Sequence, residues 1–129
     1  KKFYYINTHI DHQSTTAQVE GMKLISAFFE KYKDEYPLFI TADFNMKSDN
    51  VAFDPIEAYM HNTRDAAPEA LTDYNRTYNG FNESTYSIID HIYCSNYLKV
   101  VEYHTIDEQY NNAKFVSDHY PVYSIIKLE

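Results

Sequence analysis

Four short segments of this chain place Asp, Asn and His at the ends of apolar runs: His9, Asp43-Phe44-Asn45, Asp90-His91 and Asp118-His119. Carboxylates and imidazoles are the side chains that most often move protons in catalysis. Carboxylate and amide oxygens are also the donors preferred by hard divalent cations. Singly, each segment has a plain structural use. An Asp-x-Asn after a strand is usually a turn, because both side chains bond to nearby backbone. A lone strand-end His is usually a hydrogen-bonded surface or core residue. What they share is position: polar residues at strand exits are where α/β and sandwich folds place chemistry.

The elements that must position them follow from periodicity. Phe3-Tyr4-Tyr5-Ile6 is aromatic and β-branched, and predicts a strand ending in Asn7-Thr8-His9-Ile10-Asp11-His12. Residues 15 to about 35 predict a helix, with Val19, Met22, Ile25, Phe28, Phe29 and Tyr32 on one apolar stripe. Thr15-x-x-Gln18 fits a capping box, and Pro37 marks the stop. Leu38-Phe39-Ile40-Thr41-Ala42 is an uncharged run of buried-strand type that leads straight into Asp43. A shorter helix is expected around 55–61, mostly loop over 62–83, and strands over 86–94, 99–106 and 120–128. No repeat or internal boundary interrupts residues 1–129.

Composition limits the class. The net charge of −8, from 19 acidic and 11 basic residues, argues against passive coating of a nucleic-acid backbone, which needs Lys and Arg to displace counterions. It is compatible with an enzyme that recruits cations and lets the metal meet a phosphate. Cys94 is the single cysteine, so an internal disulfide and a Cys-x-x-Cys metal site are both excluded. No apolar run approaches transmembrane length, and no signal peptide is visible. A soluble protein, cytoplasmic or secreted, is expected. The chain opens at Lys1, already inside a strand-like run, so a fragment of a longer protein is expected.

The order of the polar segments resembles that of the endonuclease/exonuclease/phosphatase (DNase I-like) family. Asn7-Thr8-His9-Ile10-Asp11-His12 is similar to the family's Asn-Thr-His-Leu-Asp-His, and Thr41-Ala42-Asp43-Phe44-Asn45 to its Gly-Asp-Phe-Asn, with Ala where Gly is usual. Thr77-Tyr78-Asn79-Gly80-Phe81 resembles Thr-Phe-x-Gly-Phe. Ile89-Asp90-His91-Ile92-Tyr93 resembles Ile-Asp-Tyr/His-Ile-Phe, and Ser117-Asp118-His119-Tyr120-Pro121-Val122 resembles Ser-Asp-His-x-Pro-Val. Ala17-Gln18 departs from the usual Ala-Arg. The family's upstream Glu metal ligand and phosphate-side Asn have no counterpart here.

The resemblance implies an α+β fold: the C-terminal half of a DNase I-like four-layer α/β/β/α sandwich, with residues 1–129 forming part of one domain. It implies metal-dependent hydrolysis of a phosphodiester or phosphomonoester. In that reading Asp43 orients and deprotonates the attacking water, and Asn45 donates to a phosphoryl oxygen. His119, held by Asp90, contacts the water or phosphate. His9 binds a phosphoryl oxygen or assists the leaving group, and Asn7 and Asn79 add phosphate-side contacts. Asp118 and Asp43 sit on the metal side. A site rich in carboxylate and amide and free of Cys suits Mg²⁺, or Mn²⁺, more than Zn²⁺. Asp11 and His12 are equally well read as a bracing pair.

Two rivals remain in view. A metallo-β-lactamase-type hydrolase would use His-x-His-x-Asp-His; His9, Asp11 and His12 match, but Asn7 stands where the first His belongs. A non-catalytic binding module would predict loss of Asp43, Asn45 or His119, and all are present. Substrate stays open, because the family cleaves DNA, RNA, sphingomyelin and phosphoinositides on one scaffold. The isolated chain is expected to bind Mg²⁺ weakly and to show little activity. An apolar face at Leu38, Ile40, Ile89, Val100, Val122 and Ile126 is expected to need the upstream half or self-association to cover it.

Overall fold

The computed structural model describes residues 1–129. Strands β1 (Tyr4–His9), β2 (Leu38–Asp43), β3 (Met60–Asn62) and β4 (Asp90–Ser95) form one sheet in the order β1-β2-β4-β3. Strands β5 (Lys99–Thr105) and β6 (Val122–Lys127) form a second, antiparallel sheet. β1 and β2 run parallel, joined by helix α1 (Thr15–Phe29), and the other pairings are antiparallel. The arrangement is α+β, as expected; neither a helical bundle nor a wholly parallel sheet fits it.

The core follows from side-chain alternation. Leu38, Ile40 and Ala42 of β2 are buried, together with Met22 and Phe29 of α1, in the larger of two apolar clusters. β4 is buried over nearly its whole length. Tyr93 packs in the larger cluster, while Cys94 joins Leu98, Val100 and Tyr103 in the smaller one, at the second sheet. A strand covered on both faces reads as a continuous apolar run, which is what Ile92-Tyr93-Cys94 is. The face expected to lie bare is therefore mostly covered: Leu38, Ile40 and Val100 are buried, and Ile89, Val122 and Ile126 are partly so. The large side chains left exposed on strands or beside them are Phe3, Tyr5, Tyr97, Ile106, Tyr123 and Ile125.

Several elements differ from the sequence expectation. α1 stops at Phe29, six residues before the expected end, and the chain continues in turns to Tyr36. Those turns let Tyr32 stack on Tyr4, with ring centroids 4.0 Å apart. The helix cap is Ser14, whose Oγ accepts from the Ala17 amide at 3.1 Å. Gln18 closes no capping box; its amide donates to the Asp11 and Asn45 carbonyls. The expected second helix is short, a 3-10 turn at Val51–Phe53 running into α2 (Asp54–Glu57). Edge strand β3 follows, too short for a period of two to show. The expected loop contains α3 (Thr63–Ala66) and a 3-10 turn at Glu69–Leu71. β4 begins only at Asp90.

His91 points into the core, 1% exposed. Its Nε2–H donates to the Met46 carbonyl at 2.8 Å, and Nδ1 accepts from the Asn62 amide at 3.3 Å. Burial pushes its pKa down to about 4, so the folded state holds it neutral where the unfolded chain begins to bind a proton. Stability should therefore fall as pH drops from about 6.5 towards 4, by up to roughly 3 kcal/mol from this group. Urea unfolding of the wild type and His91→Gln across that range checks this: the variant's stability should fall less steeply.

Candidate functional site

Strand register assembles the site. In the parallel pair His9 lies opposite Asp43, and in the antiparallel pair Asp43 lies opposite Asp90. Three polar strand-end residues thus form one row. Residues directly opposite share a face and sit within side-chain reach of each other. His119 arrives from the loop before β6. Its Nδ1–H donates to Asp90 Oδ2 at 2.8 Å, and its Nε2 lies 3.5 Å from Asp43 Oδ2. His9 Nε2 lies 3.3 Å from the same Asp43 oxygen and 3.1 Å from the Asn45 amide. One ring nitrogen cannot donate to Asp43 and accept from Asn45 in the same protonation state, so this contact has two forms.

Asp43-Phe44-Asn45 is itself a turn. The Asn45 backbone amide donates to Asp43 Oδ1 at 2.9 Å, and the Asn45 side-chain amide donates to the Ile10 carbonyl at 2.7 Å. Asn45 has φ +51°, a conformation Asn tolerates better than most residues. Between the two, Phe44 is fully buried and anchors the turn in the core.

The segment 77–80 holds the two remaining strand ends together. Thr77 is fully buried, and its Oγ1 accepts from the Ile89 and Asp90 amides at 3.0 and 3.1 Å. The Thr77 carbonyl accepts from the Tyr120 amide at 2.8 Å. The Asn79 and Gly80 amides donate to the Asp118 carbonyl at 2.8 and 3.2 Å. Gly80 has φ +58°, and a Cβ there would lie 3.0 Å from the Tyr78 hydroxyl, so a side chain would be strained and would have to displace that ring. The Tyr78 ring packs 5.0 Å from the His119 ring.

Not every expected residue reaches the site. Asn79 is fully buried; its side-chain amide donates to the Ser117 carbonyl and its oxygen accepts from the Phe81 amide. The structure thus places it beneath the loop that carries Asp118 and His119, apart from the exposed row expected to meet a phosphate. Asn7 is exposed, and donates to the Thr41 carbonyl and hydroxyl at 3.0 and 2.7 Å. It lines, with Asp43, Asp90 and Tyr120, a cavity of about 370 Å³. Asp11 accepts from the Gln13 and Ser14 amides, which holds its pKa below the usual carboxylate range. His9, Asp11 and His12 therefore do not gather into a zinc-type cluster. Thr77 was visible only inside a motif; nothing local marks a hydroxyl that serves amides 12 and 13 positions away.

Burial, and to a lesser degree the Asp43 charge, raises the pKa of Asp90 against the opposing hydrogen bonds of His119 and Thr77. Burial opposes a charge on His119, but the bond to Asp90 and the charges of Asp90, Asp43 and Asp118 outweigh it and raise its pKa. One oxygen each of Asp43 and Asp90 and one nitrogen of His119 lie within 4.8 Å of one another. The Asp118 carboxylate lies outside that group and accepts from Ser117 Oγ at 3.5 Å. His119 Nδ1 already carries its proton towards Asp90, so a hard cation would find its donors among the carboxylate oxygens. The carboxylate oxygens that the structure brings together for such a cation are those of Asp43 and Asp90.

No family model matches the sequence, and no curated protein matches it. Solved structures do. A mannosyl-6-phosphatase of Bacteroides thetaiotaomicron is 24% identical, with a TM-score of 0.80 over 95% of this chain and 50% of its own. An endonuclease/exonuclease/phosphatase family protein of the same organism is 25% identical, with a TM-score of 0.77 over 95% and 47%. D. rerio TDP2, solved with a single-strand DNA product, is 10% identical, with a TM-score of 0.73 over 95% and 55%. The chain has the DNase I-like fold of the endonuclease/exonuclease/phosphatase family. It spans about half the length of these structures, as a C-terminal half of that fold would. No helix is long and apolar enough to cross a membrane.

If the paired carboxylates set the charge on His119, removing one should be visible directly. Asp90→Asn should lower the His119 pKa, and an NMR titration of its ring resonances measures the change. An unchanged midpoint would show that the contact carries no electrostatic weight.

Proposed function

We propose that the protein carrying this chain hydrolyses a phosphate ester by in-line attack of water, and that residues 1–129 form the C-terminal portion of its catalytic domain. The observation behind this reading is the continuous contact from Asp90 through His119 to Asp43. Asp43 Oδ2 sits beside both imidazoles and accepts the proton of the attacking water. His119, kept protonated by its carboxylate neighbours, donates from Nε2 to a phosphoryl oxygen. Asn45 keeps one amide hydrogen on the Ile10 carbonyl and turns the other to a phosphoryl oxygen in place of His9. His9, released from that contact, faces a phosphoryl or leaving oxygen, and Asn7 lines the approach. Mg²⁺, or Mn²⁺ in its place, would be held by Asp43 and Asp118 with a further carboxylate from outside this chain. When bound, it offsets charge on the non-bridging oxygens.

A phosphomonoester of a small polar molecule suits the chain better than a nucleic acid. The net charge of −8 disfavours the many phosphate contacts that a polynucleotide requires. The mannosyl-6-phosphatase is also more similar in sequence than TDP2.

Asp43→Ala and His119→Ala should each lower turnover of a sugar phosphate by roughly 10²–10⁴-fold, the usual worth of a positioned acid or base. Circular dichroism should show both folded, since neither residue leaves a core cavity. Near-normal turnover in either variant would remove its assigned role. The isolated 129-residue chain should hydrolyse little with Mg²⁺, and adding the upstream half should restore turnover.

A further inference from the structure

Arg64 is the most confined charge in the chain, and it has no counter-charge within hydrogen-bonding distance. Its side chain is 5% exposed, and the nearest carboxylate oxygen, Asp65 Oδ1, lies 4.0 Å from Nε. Nε and Nη1 are enclosed without a hydrogen-bond partner. The face of Tyr74, with its ring centre 5.8 Å from Cζ, is its aromatic neighbour. A guanidinium cannot shed its proton to escape this situation. An enclosed, unpaired charge is among the costliest arrangements a fold can keep.

Arg64 also forms part of the wall of a cavity of about 310 Å³, where the loop after Asn45 meets the loop before Asp90. Lys47, Ser48 and Ser87 line the same cavity. Two cations and two hydroxyls thus converge on one space, opposed by a single carboxylate, that of exposed Asp49. None of these residues belongs to the row of His9, Asp43, Asp90 and His119. We propose that this cavity is an oxyanion site, separate from that row, which takes a phosphate or carboxylate group. Arg64 supplies the fixed charge and Lys47 the mobile one. Ser48 and Ser87 donate to the remaining oxygens. A bound oxyanion would bring Arg64 the partner that the chain itself withholds.

The claim makes an unusual stability prediction. Removing an unpaired buried charge should help an anion-free protein, whereas removing a structural arginine should harm it. Thermal unfolding of the full chain is followed in EDTA with inorganic phosphate, with malonate, and with chloride at matched ionic strength. Phosphate or malonate should raise the wild-type midpoint beyond chloride, since a ligand that binds only the folded state stabilises it. The responding anion separates a phosphate site from a carboxylate site. R64M should melt no lower than wild type in chloride and lose the anion shift. K47A should weaken the apparent anion affinity roughly tenfold, as loss of one charge-assisted contact would. H119A should keep the shift, which separates this cavity from the catalytic row. Three results would overturn the proposal: no wild-type shift beyond chloride, a shift that survives R64M, or a shift lost in H119A. Should R64M fail to fold, K47A and S87A read the same effect, and an undiminished shift in both is equally fatal.

Discussion

Two carboxylates lie side by side on neighbouring strands, and most of the structure around them follows from holding them there. Asp43 and Asp90 are direct partners in the β2–β4 register. Like charges directly opposite on adjacent strands repel. The pair persists because His119 lies against both, 2.8 Å from one and 3.5 Å from the other. The repulsion is thereby converted into a field that favours the charged form of an imidazole. The register cannot drift, because a slip of one residue would send every side chain of β2 to the opposite face. Leu38 and Ile40 would leave the core, and Asp43 would enter it. Core packing and site geometry are one constraint.

Sheet pairing alone does not deliver His119, which sits outside any strand. The bracket formed by Thr77, Asn79 and Gly80 does that with hydrogen bonds in place of a ladder. It takes the amides entering β4 on one side and the Asp118 carbonyl on the other. Left-handed backbone clusters at these joints, at Asn45, Gly80 and Phe81. Unfavourable conformations of this kind persist where surrounding contacts over-determine them. Here the surroundings are buried Phe44, Thr77 and Asn79.

The sequence was legible where one physical rule dominates. The apolar stripe of α1, the uncharged run of β2 and the strands β5 and β6 each express burial with a regular period, and each is found within a few residues of its expected place. Legibility failed where a tertiary contact decides. The end of α1 depends on Tyr32 reaching Tyr4, and the cap at Ser14 on Asp11 folding back. β3 exists because β4 offers it an edge. The site shows the same division. His9, Asp43, Asn45, Asp90 and His119 are drawn together by register and turn geometry. Asn79 and His91 carry the same kind of polar group but face inward, satisfied by carbonyls and amides, and composition cannot tell those fates apart. Thr77 belongs to the opposite class, a residue of ordinary type whose importance lies wholly in two distant amides.

Charge poses the remaining problem. A chain of net charge −8 should repel an anionic ester, yet the proposed chemistry requires one to approach a pair of carboxylates. Distance resolves the conflict. At physiological ionic strength exposed charges fade beyond about 8 Å, so the diffuse acidic surface weakens with range while local groups do not. Within the site, an imidazole whose charge is favoured by three neighbouring carboxylates is the group an incoming phosphoryl oxygen would meet. Cation recruitment has the opposite sign, and the same acidity that hinders a polyanion would favour a divalent ion at the carboxylates. On the proposed reading, an acidic surface with imidazoles at the carboxylates would therefore suit a compact ester presenting one phosphate better than a polymer presenting many.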